Sequence, residues 1–122
     1  MGYLVEKGAV TAKTGWPLAP RDYPWSAGDA AKRIAAFLKI SAPSAAYDQC
    51  CFWVADKSST SWADRKLLFC DVVDGRIKAV PRAIMAAAFA GESDSAKSAV
   101  EAYYRRMADT FQDSSIKPPW VG

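Results

Sequence analysis

The stretch of residues 66–91, KLLFCDVVDGRIKAVPRAIMAAAFAG, joins two apolar runs and an alanine-rich segment with almost no spacer between them. The runs are separated by Asp74-Gly75, a dipeptide that tolerates the positive φ angles of a tight hairpin turn. Pro81 suits the first turn of a helix, because its missing N–H is not needed there. The stretch therefore predicts a β-hairpin, with strands at 67–73 and 76–80, that leads directly into a helix.

Two other segments carry the apolar spacing of amphipathic helices. The first begins at Ser26, where Asp29 three residues later gives a capping-box-like pattern, and should end near Ile40. Its apolar side consists of Ala30, Ile34, Phe37 and Leu38. The second is capped by Ser93 or Ser95, and its apolar side consists of Ala96, Val100, Tyr103, Met107 and Phe111. With the helix of the first stretch, the sequence predicts about three helices.

Residues 50–55, CCFWVA, form a short run of bulky side chains between polar neighbours, which predicts a buried strand. A polar loop that carries Trp62 follows it. The length of 122 residues is typical of one domain, and a hydrophobic content of 51% is enough for one core. We therefore predict a small single-domain α+β protein in which a β-hairpin and an additional strand pack on the helices.

The two ends of the chain lack helical periodicity and are interrupted by glycine or proline. Residues 1–25 predict an extended N-terminal arm, whose apolar pieces at 3–5 and 9–12 could pair as edge strands. Residues 26–112 form the compact domain, and residues 113–122 form a C-terminal tail. We expect the arm to become ordered against another surface.

The charge balance of the chain is mild, with 16 Lys and Arg against 13 Asp and Glu. The resulting net charge of +3 does not resemble the clustered basic face of a dedicated nucleic-acid binder. No apolar run reaches the ~18 residues that would predict a membrane span, and the N-terminus lacks a signal-peptide pattern. The three cysteines, two of them adjacent, fit a reducing compartment better than a disulfide framework. We expect synthesis in a bacterial cytoplasm and no membrane partner.

No catalytic constellation can be assembled from the residue types present. The chain has no histidine, the commonest metal ligand and the side chain that titrates nearest neutral pH. Cys50, Cys51 and Cys70 are poorly spaced for zinc, so we interpret them as buried thiols. Asp74 is a turn residue, and Asp71 could cap or pair with Arg65, Lys66 or Arg82. We therefore expect no enzyme activity, no catalytic, metal-binding or cofactor-binding residues, and no cofactor.

Aromatic residues are the remaining signal of function. Trp16, Tyr23 and Trp25 lie in the proline-punctuated arm, and aromatic residues beside prolines often anchor extended segments in the pockets of a partner. These three are our candidate partner-binding residues. The alternative is that the arm folds back and its aromatic side chains complete the core of the same domain, and both can hold at once.

A surface for single-stranded nucleic acid would need cations interleaved with stacking rings on one face. The only compact candidate is the run Tyr103, Tyr104, Arg105 and Arg106. Consecutive helical residues point about 100° apart, so we expect Tyr103 to face inward while Tyr104 and the arginines spread over the outer surface. Solvated helix surface is the preferred interpretation, and binding to nucleic acid is not expected.

The order of the motifs DYPWSAGDAAKRIAAF, FWVAD, KLLFCDVVDGRIKAVPRAIMAAA, AVEAYYRRM and PPW resembles a small domain associated with tailed-phage head proteins, found near or fused to prohead proteases. The features that carry this resemblance lie at residues 25–37, 52–56, 67–75 and 80–88. Two departures are Leu68, where the family's strand is expected to have proline, and the absence of the protease's catalytic apparatus.

The resemblance implies a virion component rather than the protease itself. Its first implication is a capsid decoration, or cement, subunit that binds the major capsid lattice and neighbouring copies of itself. The alternatives are a phage-encoded nucleic-acid-binding or regulatory protein, and an assembly factor that recruits the head protease. The motifs themselves are turn, cap and core patterns, so they specify no chemical activity.

Overall fold

The computed structural model of the chain describes residues 9–90 and 96–120. Its elements, in chain order, are β1 (Ala9–Val10), α1 (Ala27–Leu38), α2 (Ala45–Asp48), β2 (Cys51–Val54), β3 (Arg65–Leu68), β4 (Cys70–Val73), β5 (Arg76–Ala79), α3 (Pro81–Ala90) and α4 (Lys97–Thr110). The predicted α+β class is confirmed. The predicted pairing of 3–5, the helix end at Gly91 and the caps at Ser93 or Ser95 lie outside the described residues.

Helix α1 begins after Ser26 as predicted, although the Ser26 side chain makes no capping hydrogen bond. It ends because Lys39 adopts a left-handed conformation with φ of 58°, which returns the backbone N–H of Ile40 to Ala35. The prediction that Phe37 belongs to the buried side is wrong, since 46% of this residue is exposed. Within the two described ranges, no helix is both long and apolar enough to cross a membrane.

The predicted hairpin forms around Asp74 and Gly75, whose φ angles of 53° and 75° are those of a tight turn. The first predicted strand, 67–73, is however divided into β3 and β4. β3 pairs antiparallel with β2, whereas β4 pairs antiparallel with β5. Phe69 connects the two ladders, because its N–H donates to the Cys50 carbonyl at 2.9 Å and its own carbonyl accepts from Val80 at 2.8 Å.

Residues 9–19 join the outer edges of the two sheets. β1 pairs with β2 on the edge opposite β3. After a turn, Ala19 donates to the Ala79 carbonyl and Ala79 donates to the Pro17 carbonyl, both at 2.8 Å, which covers the free edge of β5. Of the two alternatives left open for the arm, folding back on its own domain therefore describes residues 9–25.

The core lies between the two sheets and the helices. Phe52 and Phe69 stack at 4.1 Å between ring centroids, and Tyr103 of α4 contacts both rings. All three residues are fully buried. The Tyr103 hydroxyl donates to the Lys13 carbonyl and accepts from the Trp16 N–H, so the central ring also holds the N-terminal segment.

The described part of the C-terminal tail, 113–120, packs against α4. Ile116 and Pro118 line a surface pocket together with Tyr104, and the Trp120 indole donates to the Glu101 carboxylate at 3.0 Å. The expectation that Tyr104 points outward is therefore wrong, since only 4% of it is exposed. Tyr104 and Ile116 belong to the same buried cluster, so the tail extends the core on this side of α4.

Candidate functional site

An open apolar trough runs across one side of the molecule between α1 and α3. Two adjoining cavities form it, with volumes of about 510 Å³ and 210 Å³, and they share Ala27 and Leu68 as lining residues. Its walls are made of small side chains, because α1 contributes a glycine and alanines and α3 contributes alanines, namely Ala27, Gly28, Ala31, Ala35, Ala83, Ala86 and Ala87. Small residues on both walls leave room for another chain between the helices.

The floor of the trough is the edge of strand β3. Leu67 and Leu68 both line the smaller cavity, because the left-handed φ of 60° at Leu67 interrupts the alternation of side chains along the strand. The cavity therefore lies against the C-terminal half of β3. β2 is the one strand that pairs with β3 in the described residues, and no other backbone hydrogen bond of the described chain involves residues 66–68.

An aromatic pair closes the wider end of the trough. Trp62 packs edge-on against Tyr47 with ring centroids 4.8 Å apart, and 39% of Trp62 is exposed. Both rings line the larger cavity. An indole half in solvent beside a row of alanines is the kind of apolar surface that commonly marks an interaction site.

A buried ion pair fixes the position of this aromatic wall. Arg65 contacts Asp48 with 2.8 Å between Nε and Oδ1, and both side chains are almost fully buried. The guanidinium also donates to the backbone carbonyls of Lys57, Ser59 and Ser61, so it gathers the loop that leads to Trp62. The sequence analysis gave Arg65 as one possible partner of Asp71. In the structure Arg65 pairs with Asp48 instead.

No family model matches this chain, and no curated protein or solved structure matches it. The chemistry of the trough therefore has to be inferred from its own residues. Its charged lining residues are both cations, Lys32 on α1 and Arg65 on the floor. Arg65 is engaged by Asp48, whereas Lys32 forms no ion pair with any described residue. The trough is thus an apolar channel with one available positive charge.

Asp71, a candidate carboxylate from the sequence, lies on β4 away from the trough and is completely buried. Arg33 contacts it with two hydrogen bonds of 2.8 and 2.7 Å, and Tyr23 donates to it at 3.1 Å. None of the predicted partners, Arg65, Lys66 or Arg82, contacts it. The reason is that α1 packs directly on β4 and brings Arg33 over the carboxylate. These hydrogen bonds connect the N-terminal segment, helix α1 and the β4–β5 hairpin. Asp71 therefore has a structural role.

The Asp71 cluster makes stability depend on pH. Burial opposes ionisation of Asp71, but the hydrogen bonds from Arg33, the Val72 N–H and Tyr23 outweigh it, so the pKa of the carboxyl is lowered. A lowered pKa in the folded state contributes stability above the unfolded pKa of about 3.9. That contribution is lost as the pH falls below this value through the folded pKa.

We therefore expect the Asp71→Asn variant to lose less stability than the wild type between about pH 4 and pH 2. Urea unfolding followed by circular dichroism at a series of pH values measures this difference. Tyr23→Phe removes a single donor and serves as the graded control, with a smaller reduction of the acid dependence. Equal pH dependence of the wild type and Asp71→Asn would show that the cluster is not the origin.

The three predicted partner-binding residues each make a hydrogen bond within the domain. The Trp16 indole donates to the Gln49 carbonyl at 2.9 Å, and the Trp25 indole donates to the Cys70 carbonyl at 3.3 Å. Tyr23 donates to Asp71, as described above. All three side chains are partly buried, and Trp25 lines the smaller cavity of the trough. The structure brings Trp25 to the candidate site and places Trp16 and Tyr23 elsewhere.

The remaining sequence candidates do not form a site in the described residues. Tyr103 and Tyr104 are both buried, and Arg106 donates to the Thr14 and Trp16 carbonyls, so this run offers no exposed tyrosine for a base to stack on. The thiols at 50, 51 and 70 are free and buried, and burial raises the pKa of the second and third. Within the described ranges no three acidic or thiol groups are grouped to hold a metal ion.

Proposed function

We propose that this chain is a structural component of a phage virion, a decoration subunit that binds the major capsid lattice and neighbouring copies of itself. The observation that carries the proposal is the apolar trough, with its alanine walls and its half-exposed Trp62. Apolar surface of this kind is stabilised when another protein covers it. The resemblance of the motifs to a phage head domain supplies the class of partner.

The physical demands on a decoration subunit agree with this surface. A contact confined to one trough is small, and small interfaces give weak single affinities. A capsid presents the same partner many times, so subunits that also touch one another raise their effective concentration on the shell. A compact domain with one apolar channel therefore suits repeated binding on a lattice better than tight binding to a single free molecule.

The first test is the protein composition of purified mature particles. We expect the chain to be present at about one copy per major capsid subunit, since decoration follows the repeat of the lattice. Quantitative mass spectrometry of particles purified by density gradient measures this ratio. Presence in immature particles only would favour the assembly-factor alternative and contradict a decoration role. Absence from both kinds of particle would also contradict a decoration role.

The variants for a binding test should avoid the three aromatic residues suggested by the sequence. Trp16, Tyr23 and Trp25 all hold the N-terminal segment on the domain, so removing them would disturb folding as well as docking. Trp62 is a better choice, because it lies outside the N-terminal segment and its exposed ring packs edge-on against Tyr47. A Trp62→Ala protein that retains its circular dichroism spectrum but binds shells weakly would support the trough as the contact.

A further inference from the structure

We propose that the trough binds an extended segment of a different protein, which adds as a strand to the free edge of β3 and places an acidic side chain near Lys32. This inference rests on the proposed function, in that the segment would belong to a protein of the shell. It goes further by specifying the conformation of the bound segment, the strand it pairs with and the charge it carries.

The backbone of β3 determines the conformation of the bound segment. An edge strand presents unpaired N–H and C=O groups, and an added strand satisfies them with main-chain hydrogen bonds. In the described chain, residues 66–68 have no backbone partner beyond β2, and Leu67 and Leu68 line the trough. A docked helix satisfies its own backbone and would leave the groups of β3 unpaired. An extended segment is therefore the better complement.

The walls of the trough determine the side chains of the bound segment. Alternate residues of an extended chain point to opposite sides, so one set would face the alanines of α1 and the other those of α3. Small or β-branched apolar side chains fit between two walls of this kind. The left-handed φ of 60° at Leu67 bends the edge, which limits the added strand to a few residues.

Charge determines that the occupant is a different protein rather than a second copy pairing through the same strand. Lys32 lines the trough, Lys66 lies exposed within β3, and neither forms an ion pair with a described residue. An antiparallel β3–β3 contact between two copies would place both Lys66 side chains on one four-residue ladder. Like charges on such a ladder are destabilising. An acidic residue in the bound segment would instead be attracted to Lys32, the cation of the trough that has no ion-pair partner among the described residues.

The test is a titration of the purified full chain with an N-acetylated, C-amidated eight-residue peptide of valine and alanine that carries one central glutamate. We expect saturable changes in the backbone amide resonances of Leu67 and Leu68 and of the α1 residues that line the trough. Two matched peptides separate the contributions. N-methylation of alternate backbone amides should weaken binding by at least about tenfold, because each main-chain hydrogen bond contributes on the order of 1 kcal/mol. Lysine in place of glutamate should weaken it through repulsion by Lys32.

Two tryptophan variants on one helix provide the protein controls. Ala27→Trp fills the junction of the two cavities and should abolish peptide binding, whereas Ala36→Trp, on an exposed position of α1 outside the trough, should leave it unchanged. Equal binding of the N-methylated and unmodified peptides, or resonance changes away from the trough, would overturn the inference. A chain that dimerises through β3 would overturn the choice of a different protein.

The particle composition and the docking inference can fail separately. If the chain is present in mature particles and Ala27→Trp is incorporated as efficiently as Ala36→Trp, the docking inference is wrong and the virion role stands. If the chain is absent from particles while the peptide binds as described, the virion role is wrong and strand addition at β3 stands.

Discussion

Replacement of Arg65 by alanine is expected to lower the free energy of unfolding by about 3–5 kcal/mol, because it leaves the buried Asp48 carboxylate without its partner. The Arg65 and Asp48 side chains are only 2% and 9% exposed, so water cannot compensate. The same change removes the donors to three carbonyls of the 57–61 loop. Urea unfolding monitored by tryptophan fluorescence measures the loss.

A double variant separates these two contributions to the Arg65 effect. Asp48→Ala combined with Arg65→Ala removes the unpaired buried charge but not the loss of donors to the loop. We expect the double variant to be more stable than Arg65→Ala alone, since directly paired residues are not additive. Arg21→Ala breaks the exposed pair with Asp113 and should leave the urea midpoint nearly unchanged. Additive effects of the two alanine changes would show that the pair does not act as a unit.

The Arg65 variant also tests how the candidate site is held. Arg65 fixes the loop that precedes Trp62, and Trp62 forms the aromatic wall of the trough with Tyr47. Loss of the guanidinium should therefore loosen Trp62 before the domain unfolds. The position of Trp62 therefore depends on a buried ion pair of the core. The shape of the trough is in this sense determined by the fold and not by a loop that moves independently.

The local elements of this fold were predictable because their signals are local. Asp74-Gly75 specifies its turn through two positive φ angles, and Pro81 starts α3 whatever the rest of the chain does. Helical spacing identified α1 and most of the buried side of α4. Phe37 was misplaced because the buried side of α1 drifts with the 3.6-residue period toward Leu38, which packs against the core.

The division of the predicted strand 67–73 is not predictable, since the run is apolar apart from Asp71 and contains no glycine or proline. What divides it is pairing with segments distant in sequence, β2 on one side of Phe69 and β5 on the other. The burial of Tyr104 is not predictable for a similar reason, because Tyr104 joins a buried cluster that includes Ile116 of the tail. Periodicity describes which side of a helix is apolar and does not show how many surfaces pack on it.

The trough was beyond sequence reasoning for a related reason. Its alanines belong to two helices separated in sequence by strands β2 to β5, and they line one channel only because both helices lie beside Leu68 of β3 in the fold. Trp62, an aromatic residue in a polar loop, is the one local signal of this site in the sequence. The buried pair of Asp48 with Arg65 has no local signal, because the two residues meet where Tyr47 of α2 packs against Trp62 of the loop before β3.

Phe69→Ala is the second change from which a large effect is expected, a loss of about 3–5 kcal/mol in the free energy of unfolding. Phe69 is fully buried, stacks on Phe52 and contacts Tyr103 at 5.2 Å between centroids. Its truncation leaves a cavity where both sheets and α4 meet, and the backbone bonds that Phe69 makes to each sheet hold that cavity open. A domain stabilised by roughly 5–15 kcal/mol would lose a large share of its stability.

Phe37→Ala is the matched control, because it removes the same side chain from a position that is 46% exposed. Its effect should stay within about 0.5 kcal/mol, the usual range for surface changes. Urea unfolding of both variants, with the slope of the transition checked for equality, gives the comparison directly. The Tyr103 hydroxyl ties this ring cluster to Lys13 and Trp16, so Phe69→Ala should also release the N-terminal segment to protease earlier than Phe37→Ala does. Similar stability of the two variants would mean that the sheets are joined by their backbone hydrogen bonds and not by the stacked rings.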